Sequence, residues 1–173
     1  MSTPRIYAAC LSSYVAGKLH GAWIDCDQDA DDIRAEIALM LKGSTEPGAE
    51  EYAIHDHEGW GPIRLGEHED IDKLSMVARL TEEHGEHVLL LLSAHGWEYH
   101  NDEDTLRELV EEKYHGHYED LEDFGLRNTE DAGIPDWIES YFDFEHWAKD
   151  QLEGGALSSV DDPKGGFHVY RNC

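Results

Sequence analysis

The sequence predicts an α+β fold, because stretches of alternating apolar and polar residues are interspersed with stretches whose apolar residues recur at helical spacing. Three strands are expected near the start, at RIYAACLSSY, HGAWIDC and EYAIHDHEG. A helix is predicted between the last two, with an apolar face formed by Ile33, Ile37, Met40 and Leu41. Asp29 or Asp31 can cap its start and Gly43 can end it. These elements form an N-terminal α+β module.

The rest of the chain is predicted to contain two more modules. Glycine and proline in GWGPIRLG mark a boundary, so the first module covers residues 1–65. Apolar residues at mixed helical spacing, interrupted by Gly85, predict a central helical module over residues 66–104. Residues 105–173 form a C-terminal α+β module that ends in a strand at GGFHVYR. The fold is thus a chain of three small modules.

The C-terminal module is expected to contain several amphipathic helices. Its first helix has one apolar face, formed by Leu106, Leu109, Val110 and Tyr114. A later helix has Pro135 near its first turn, where a missing N–H costs nothing. The segments YEDLEDFG and YFDFEHWA share a pattern of rings and acids. We interpret them as two helices with the rings inward and the acids outward.

The net charge is the most informative property of the composition. The 173 residues include 39 acidic and 13 basic ones, a formal net charge of −26, with 12 histidines. The excess is spread over the modules, at −6, −9 and −11 along the chain, so it does not form an acidic tail. Direct binding of nucleic acid is not expected, since phosphates need a positive surface. The expected partner is basic.

Other features point to a cytoplasmic protein. The three cysteines are an odd number and lack metal-ligand spacing, which predicts neither a disulfide framework nor a zinc knuckle. The start of the chain has no basic segment followed by a long apolar one. The longest apolar run, Val88 to Leu92, is too short to span a bilayer. No membrane association is expected.

One stretch resembles a calcium loop. DCDQDADDIRAE, from Asp25 to Glu36, has aspartates at alternate positions and a glutamate twelfth, as in an EF-hand. However, Ala30 replaces the glycine of the sharp turn, Asp32 replaces an apolar residue, and a strand precedes the loop. The acids are better explained as the first turn of a helix, where its dipole favours negative charge. No metal site is predicted here.

Neither a catalytic centre nor a cofactor site is predicted. Histidine pairs occur at His55 and His57, His84 and His87, and His115 and His117. None has a recognised catalytic spacing, and Gly85 interrupts the helix that the second pair would need. The sequence contains no GxSxG, P-loop or GxGxxG pattern. The protein is therefore not expected to be an enzyme.

The acids themselves can form an array that resembles DNA. Carboxylates at helical positions i, i+3 and i+4 lie about 5–6 Å apart. Two such groups are predicted, Glu108, Glu111 and Glu112, and Asp136, Glu139 and Asp143. If they were aligned, 26 charges would match about 44 Å of duplex, and those of a dimer about 88 Å. Salt adaptation and solubilisation are the competing explanations of the charge.

Several blocks of sequence resemble the ArdA antirestriction family in order and approximate spacing, over nearly the whole chain. They are PRIYAACLSSYVAGKLHGAWIDC, EEYAIHDHEGWG, EKYHGHYEDLEDFG, IESYFDFEHWAKD and the terminal GGFHVYR. The resemblance implies a protein of plasmids, conjugative transposons or phages that acts in a bacterial host. It further implies an elongated homodimer of three small domains per chain, curved and charged like bent B-form DNA.

The resemblance also implies a target and a mechanism. Such a protein occupies the DNA-binding groove of type I restriction-modification enzymes, on their specificity and methyltransferase subunits. It blocks restriction, and modification is a further candidate for inhibition. We expect exposed carboxylates to replace phosphates there: Asp31, Asp32, Glu36, Glu108, Glu111, Glu112, Glu119, Asp120, Glu122, Asp123, Asp136, Glu139 and Asp143. The rings of Tyr114, Tyr118 and Phe124 are expected in the core or at a dimer contact.

Two alternatives stay open. The first is an acidic module that binds calcium or zinc through DCDQDADDIRAE or the histidine pairs. The second is a general acidic inhibitor of basic DNA-binding proteins, which the same surface could support.

Overall fold

The computed structural model describes residues 2–99, 102–130 and 133–172. The chain forms two compact units, Met1–Leu106 and Arg107–Cys173. Each unit contains helices and a three-stranded antiparallel sheet, which confirms the predicted α+β class. The further division at residue 65, and with it the three-module organisation, stays a prediction.

The first sheet holds all three strands that alternation predicted. These are β1 (Arg5–Cys10), β2 (Gly21–Asp25) and β3 (Tyr52–Glu58), in the order β2-β1-β3. A short helix, α1 (Leu11–Val15), takes up the end of the first predicted strand segment. Ile6, Ala8 and Ile24 are buried between this sheet and the helices of the unit.

Helix α2 (Ala30–Lys42) confirms the helix predicted between the second and third strands. Ile33, Ile37 and Met40 are buried, and the helix ends against Gly43 as expected. Asp29 is the residue at the N-terminal cap position. The apolar face thus lies inward and leaves the acids of the first turn outward.

The interruption predicted at Gly85 is present. It separates α3 (Ile71–His84) from α4 (His87–His95), which a 3₁₀ turn (Trp97–Tyr99) follows. Gly85 has φ +103°, a backbone conformation that a side chain would strain, so the first helix cannot continue through it. Within the part of the chain that the structure describes, no helix is both long and apolar enough to cross a membrane.

The region around residue 107 differs from the single helix predicted there. Helix α5 (Glu103–Arg107) contains the boundary between the units and passes into a π-helical segment (Glu108–Glu112). Leu106, Leu109 and Val110 are buried as predicted. Tyr114 is not on the helix, because it starts β4 (Tyr114–Tyr118) and pairs with Tyr170. Cross-strand pairing has overridden the helical pattern of the sequence.

The remaining elements of the second unit form a sheet with a helical layer. They are α6 (Leu121–Thr129), α7 (Asp136–Glu139), α8 (Phe144–Glu153), β5 (Leu157–Asp161) and β6 (Phe167–Arg171), the predicted closing strand. The sheet order is β4-β6-β5. Tyr118, Phe124, Ala148 and Val169 form a buried cluster between the sheet and helices α6 and α8.

Candidate carboxylate surface

Helix α2 presents the predicted N-terminal acids to solvent. Asp31, Asp32 and Glu36 are exposed, and the side chain of Asp31 is 97% exposed. The Glu36 carboxylate accepts a hydrogen bond from Gln28 Nε2 at 2.8 Å, which limits its rotation. These acids are therefore free for contact with a partner and partly fixed by their neighbours.

The starts of α2 and α3 lie beside each other and share a set of charged hydrogen bonds. Arg34 donates to Asp31 at 3.2 Å and also to Asp72 on α3. The hydrogen bond from Arg34 lowers the pKa of Asp72, so this carboxylate stays ionised. Arg79 on α3 donates in turn to Asp29 at 3.1 Å. Acids of the two helices are thus held at defined positions.

An acidic groove follows from this arrangement. Its walls include Asp29, Asp31, Asp32, Asp70, Asp72 and Glu103, all in the first unit. Neither Asp70 nor Asp72 is among the carboxylates predicted from the sequence. Asp70 Oδ1 accepts the Asp72 N–H at 3.0 Å, so Asp70 is the N-cap of α3. The preference for aspartate at N-caps was the sequence signal that could have identified this helix start and its acids. The groove extends the acidic surface beyond the predicted residues.

The acids around residue 110 are exposed, but their spacing differs from the prediction. The Lys113 N–H donates to the Glu108 carbonyl at 3.0 Å, five residues back, as in a π-helix. The α-helical i, i+3, i+4 spacing assigned to Glu108, Glu111 and Glu112 is therefore wrong. Two of the carboxylates are in ion pairs, Glu108 with Lys113 at 3.1 Å and Glu111 with Arg107 at 3.0 Å.

The start of α6 holds four predicted acids in a small hydrogen-bonded arrangement. Asp120 Oδ1 accepts the Asp123 N–H at 2.9 Å, and Asp123 Oδ2 accepts the Glu119 N–H at 3.1 Å. Arg127 also donates to Asp123, at 3.4 Å. Glu119, Asp120 and Glu122 are exposed, whereas Asp123 is half-buried. Asp120 thus caps the helix, Asp123 binds the residue that precedes the cap, and three of the four acids are exposed.

The group Asp136, Glu139 and Asp143 does not lie on one helix, which corrects the prediction. Helix α7 covers only Asp136–Glu139, because the chain turns where the Tyr141 N–H bonds to the Ile138 carbonyl at 2.9 Å. Asp143 instead caps α8 by accepting the His146 N–H at 2.8 Å. Glu139 and Asp143 are exposed, and the side chain of Asp136 lies outside the described part of the structure.

The geometry of DCDQDADDIRAE is that of a helix start. Asp25 ends β2 and α2 begins at Ala30, so more than half of the stretch is helical. A strand precedes it, whereas an EF-hand loop follows a helix. Asp29, at the N-cap position, contacts Arg79, and Glu36 contacts Gln28, so these acids bond to neighbouring side chains. This agrees with the preferred interpretation of these acids.

The predicted aromatic residues lie in and beside the core of the second unit. Tyr118 and Phe124 are 3% and 1% exposed, with ring centroids 4.8 Å apart. Arg127 lies over the Tyr118 ring at 4.5 Å, and His115 Nδ1 is 2.8 Å from its hydroxyl. Tyr114 is half-buried. A role for this group in a dimer contact stays a prediction.

Both units are strongly acidic, and most of their lysines and arginines form ion pairs with carboxylates. The first unit contains 22 acidic and 7 basic residues, and the second contains 17 and 6. At least eight of the 13 lysines and arginines form ion pairs with carboxylates. The positive charges therefore orient acids locally, while a large negative excess remains on each unit.

Comparison with known proteins gives one family. No curated protein sequence matches the chain significantly. The sequence model of the antirestriction protein ArdA matches residues 6–162. This range includes the acidic groove and every predicted carboxylate. The chain belongs to the ArdA family of antirestriction proteins.

Proposed function

We propose that the protein inhibits type I restriction-modification enzymes by occupying their DNA-binding groove as a mimic of B-form DNA. The observation that carries this proposal is the set of exposed carboxylates held in place on both units. Because the family consists of antirestriction proteins, restriction enzymes are the class of target for this surface. Restriction and modification are both inhibited, because both activities need the same bound DNA.

Fixed carboxylates suit this role for a physical reason. A DNA groove presents lysines and arginines at positions set by phosphates, so a competitor needs negative charges at defined places. Caps and ion pairs restrict the acids before binding, which reduces the entropy lost on association. Asp120 and Asp143 are held by helix N–H groups, and Asp31 by Arg34. The surface is therefore an ordered array in these places.

The proposal specifies the partners. The specificity and methyltransferase subunits supply the basic groove, and the protein acts as a homodimer in the cytoplasm of the bacterial host. It binds no nucleic acid itself, because its net charge of −26 repels phosphates. It acts by occupancy rather than as an enzyme, and the inhibition needs no cofactor.

The test is displacement of a labelled DNA duplex from a type I methyltransferase core, titrated at several salt concentrations. We expect stoichiometric displacement that weakens as salt rises, since the contacts are ionic. A folded protein that fails to displace DNA from an active enzyme would refute the proposal. Equal competition against several unrelated DNA-binding proteins would instead identify a general acidic inhibitor.

A further inference from the structure

Two histidines and an aspartate, distant in the sequence, meet at one end of the second sheet. His117 on β4 and His168 on β6 are cross-strand partners, and their ring centroids are 4.8 Å apart. Asp162 directly follows β5, in the turn that leads to β6. By sequence spacing, His117 is paired only with His115, whose Nδ1 contacts the Tyr118 hydroxyl instead. Strand pairing therefore creates a cluster that no local spacing indicates.

One ligand atom from each of these three residues lies within 4.8 Å of the others, and two of the separations are close to that expected around a small metal ion. Asp162 Oδ2 is 3.6 Å from His117 Nε2 and 3.2 Å from His168 Nε2. Ligands about 2.0–2.1 Å from a tetrahedral Zn²⁺ lie roughly 3.3 Å from one another. We propose that His117 Nε2, His168 Nε2 and Asp162 Oδ2 bind a divalent transition metal ion of the Zn²⁺ class, with a fourth position for water.

The surroundings orient two of the three ligands for this task. His168 is 6% exposed, and its Nδ1 lies 2.9 Å from the Tyr114 hydroxyl. Asp162 Oδ1 accepts the Lys164 N–H at 2.8 Å, which leaves Oδ2 directed at the histidines. Metal-binding histidines usually have such a partner on their second nitrogen, and metal-binding carboxylates are usually hydrogen-bonded as well.

The same atoms also form hydrogen bonds in the metal-free protein. His117 Nε2 lies 2.9 Å from the Gly165 carbonyl, and His168 Nε2 contacts Asp162, so each Nε2 carries a proton there. Metal coordination would use the Nε2 lone pair of each ring, with the ring proton on Nδ1. The His168 Nδ1–H then donates to Tyr114, whose hydroxyl changes from donor to acceptor.

A bound ion would tie together three parts of the second unit. It would link β4, β6 and the turn after β5, where Asp162 already bonds through its backbone to Gly166 at 3.0 Å. Metal binding to the folded state alone would raise the melting temperature. The proposed role of the ion is therefore structural: it stabilises this sheet and takes part in no reaction.

The experiment measures binding of Zn²⁺ by calorimetry and of Co²⁺ by its visible absorption, in the full chain. Excess Mg²⁺ occupies the many surface carboxylates, and a Cys173→Ser background removes one thiol. His117→Ala and Asp162→Asn test the ligands, and Tyr114→Phe tests the orienting hydroxyl. His68→Ala, at an exposed position in the other unit, is the matched control. Circular dichroism confirms that each variant is folded.

We expect one ion per chain, the absorption bands of tetrahedral Co²⁺ and a higher melting temperature with Zn²⁺. His117→Ala and Asp162→Asn should lower affinity at least about tenfold, and Tyr114→Phe about tenfold, while His68→Ala leaves it unchanged. Absence of saturable binding under Mg²⁺ would overturn the proposal. Stoichiometric binding that survives both ligand variants would overturn it equally, because the ion would then lie elsewhere.

Discussion

Phe124 and Trp147 stack with ring centroids 6.1 Å apart and ring planes 29° from parallel. They occupy the same position in the two repeated segments, YEDLEDFG and YFDFEHWA. The residues that follow them, Gly125 and Ala148, are both buried. The repeat therefore describes two similar helix starts that pack against each other through equivalent residues.

Replacing Gly125 with alanine should destabilise the protein. A Cβ at this position would lie 2.4 Å from the Phe144 carbonyl oxygen, so α6 and α8 would have to separate. Helix propensity alone favours alanine over glycine by about 1 kcal/mol, whereas overpacking costs about 1–3 kcal/mol. We expect a net loss in the free energy of unfolding, measured by chemical denaturation.

Helix α6 also provides a control substitution for the Gly125→Ala prediction. Leu126→Ala changes an exposed side chain and should alter stability by less than about 0.5 kcal/mol. If Gly125→Ala stabilised the protein, propensity would dominate and the close approach of the two helices would not constrain this position.

Asp120 and Asp143 allow the capping role of an acid to be separated from its charge. Each carboxylate accepts a helix N–H, at 2.9 and 2.8 Å. Alanine at either position should cost about 1 kcal/mol of stability, whereas asparagine, an equally good cap, should cost far less. Thermal and chemical unfolding measure this difference. Equal losses for alanine and asparagine would show that charge, through the helix dipole, is the larger contribution.

The proposed mimicry predicts a gradual dependence on the acids. Neutralising one exposed carboxylate, as in Asp32→Asn, should weaken inhibition of a type I enzyme only about twofold, since single exposed ion pairs contribute little. The triple variant of α2, with Asp31→Asn, Asp32→Asn and Glu36→Gln, should weaken it about tenfold. Titration of restriction and of methylation at several salt concentrations measures both effects.

A charge-preserving control distinguishes electrostatics from shape. The variant Asp31→Glu, Asp32→Glu and Glu36→Asp keeps every charge of the α2 face and should retain most of the inhibition. The neutral triple variant should also lose part of its salt dependence. If the charge-preserving variant lost as much activity as the neutral one, side-chain shape rather than charge would determine binding on this face.

Local patterns were sufficient to predict much of the fold. The buried face of α2, its end at Gly43 and the break at Gly85 follow from periodicity and from glycine chemistry. Acids in the first turn of a helix follow from its dipole, which explains why Asp31 and Asp32 lie at the start of α2 as predicted. Each of these features depends on neighbours within a few residues.

Features that depend on distant residues were not predictable in the same way. Tyr114 fits the helical pattern of the sequence but lies on a strand, because β4 pairs with β6, more than 50 residues later in the chain. Asp143 does not share a helix with Asp136 and Glu139, because α7 ends after a single turn. The cluster of His117, Asp162 and His168 exists only after this sheet has formed. No spacing rule relates residues that meet through strand pairing.

Cys26 should resist alkylation in the folded protein. Its thiol is fully buried, and burial, followed by the nearby carboxylates of Asp25 and Asp27, raises its pKa to about 12. The thiolate is the nucleophile, so a raised pKa lowers reactivity at every pH below about 12. Cys10 is equally buried; that burial raises its pKa, but hydrogen bonds with Ser13, Ser44 and Ser12 lower it overall.

The two cysteines should therefore react in a fixed order. Mass spectrometry of peptides after timed exposure to iodoacetamide at about pH 8 should show Cys10 modified before Cys26, in a Cys173→Ser background. Both should react at once in denaturant, which controls for intrinsic reactivity. Alkylation of Cys26 first, under native conditions, would mean that opening of the β2 end, rather than the ionisation of the thiol, limits its reaction.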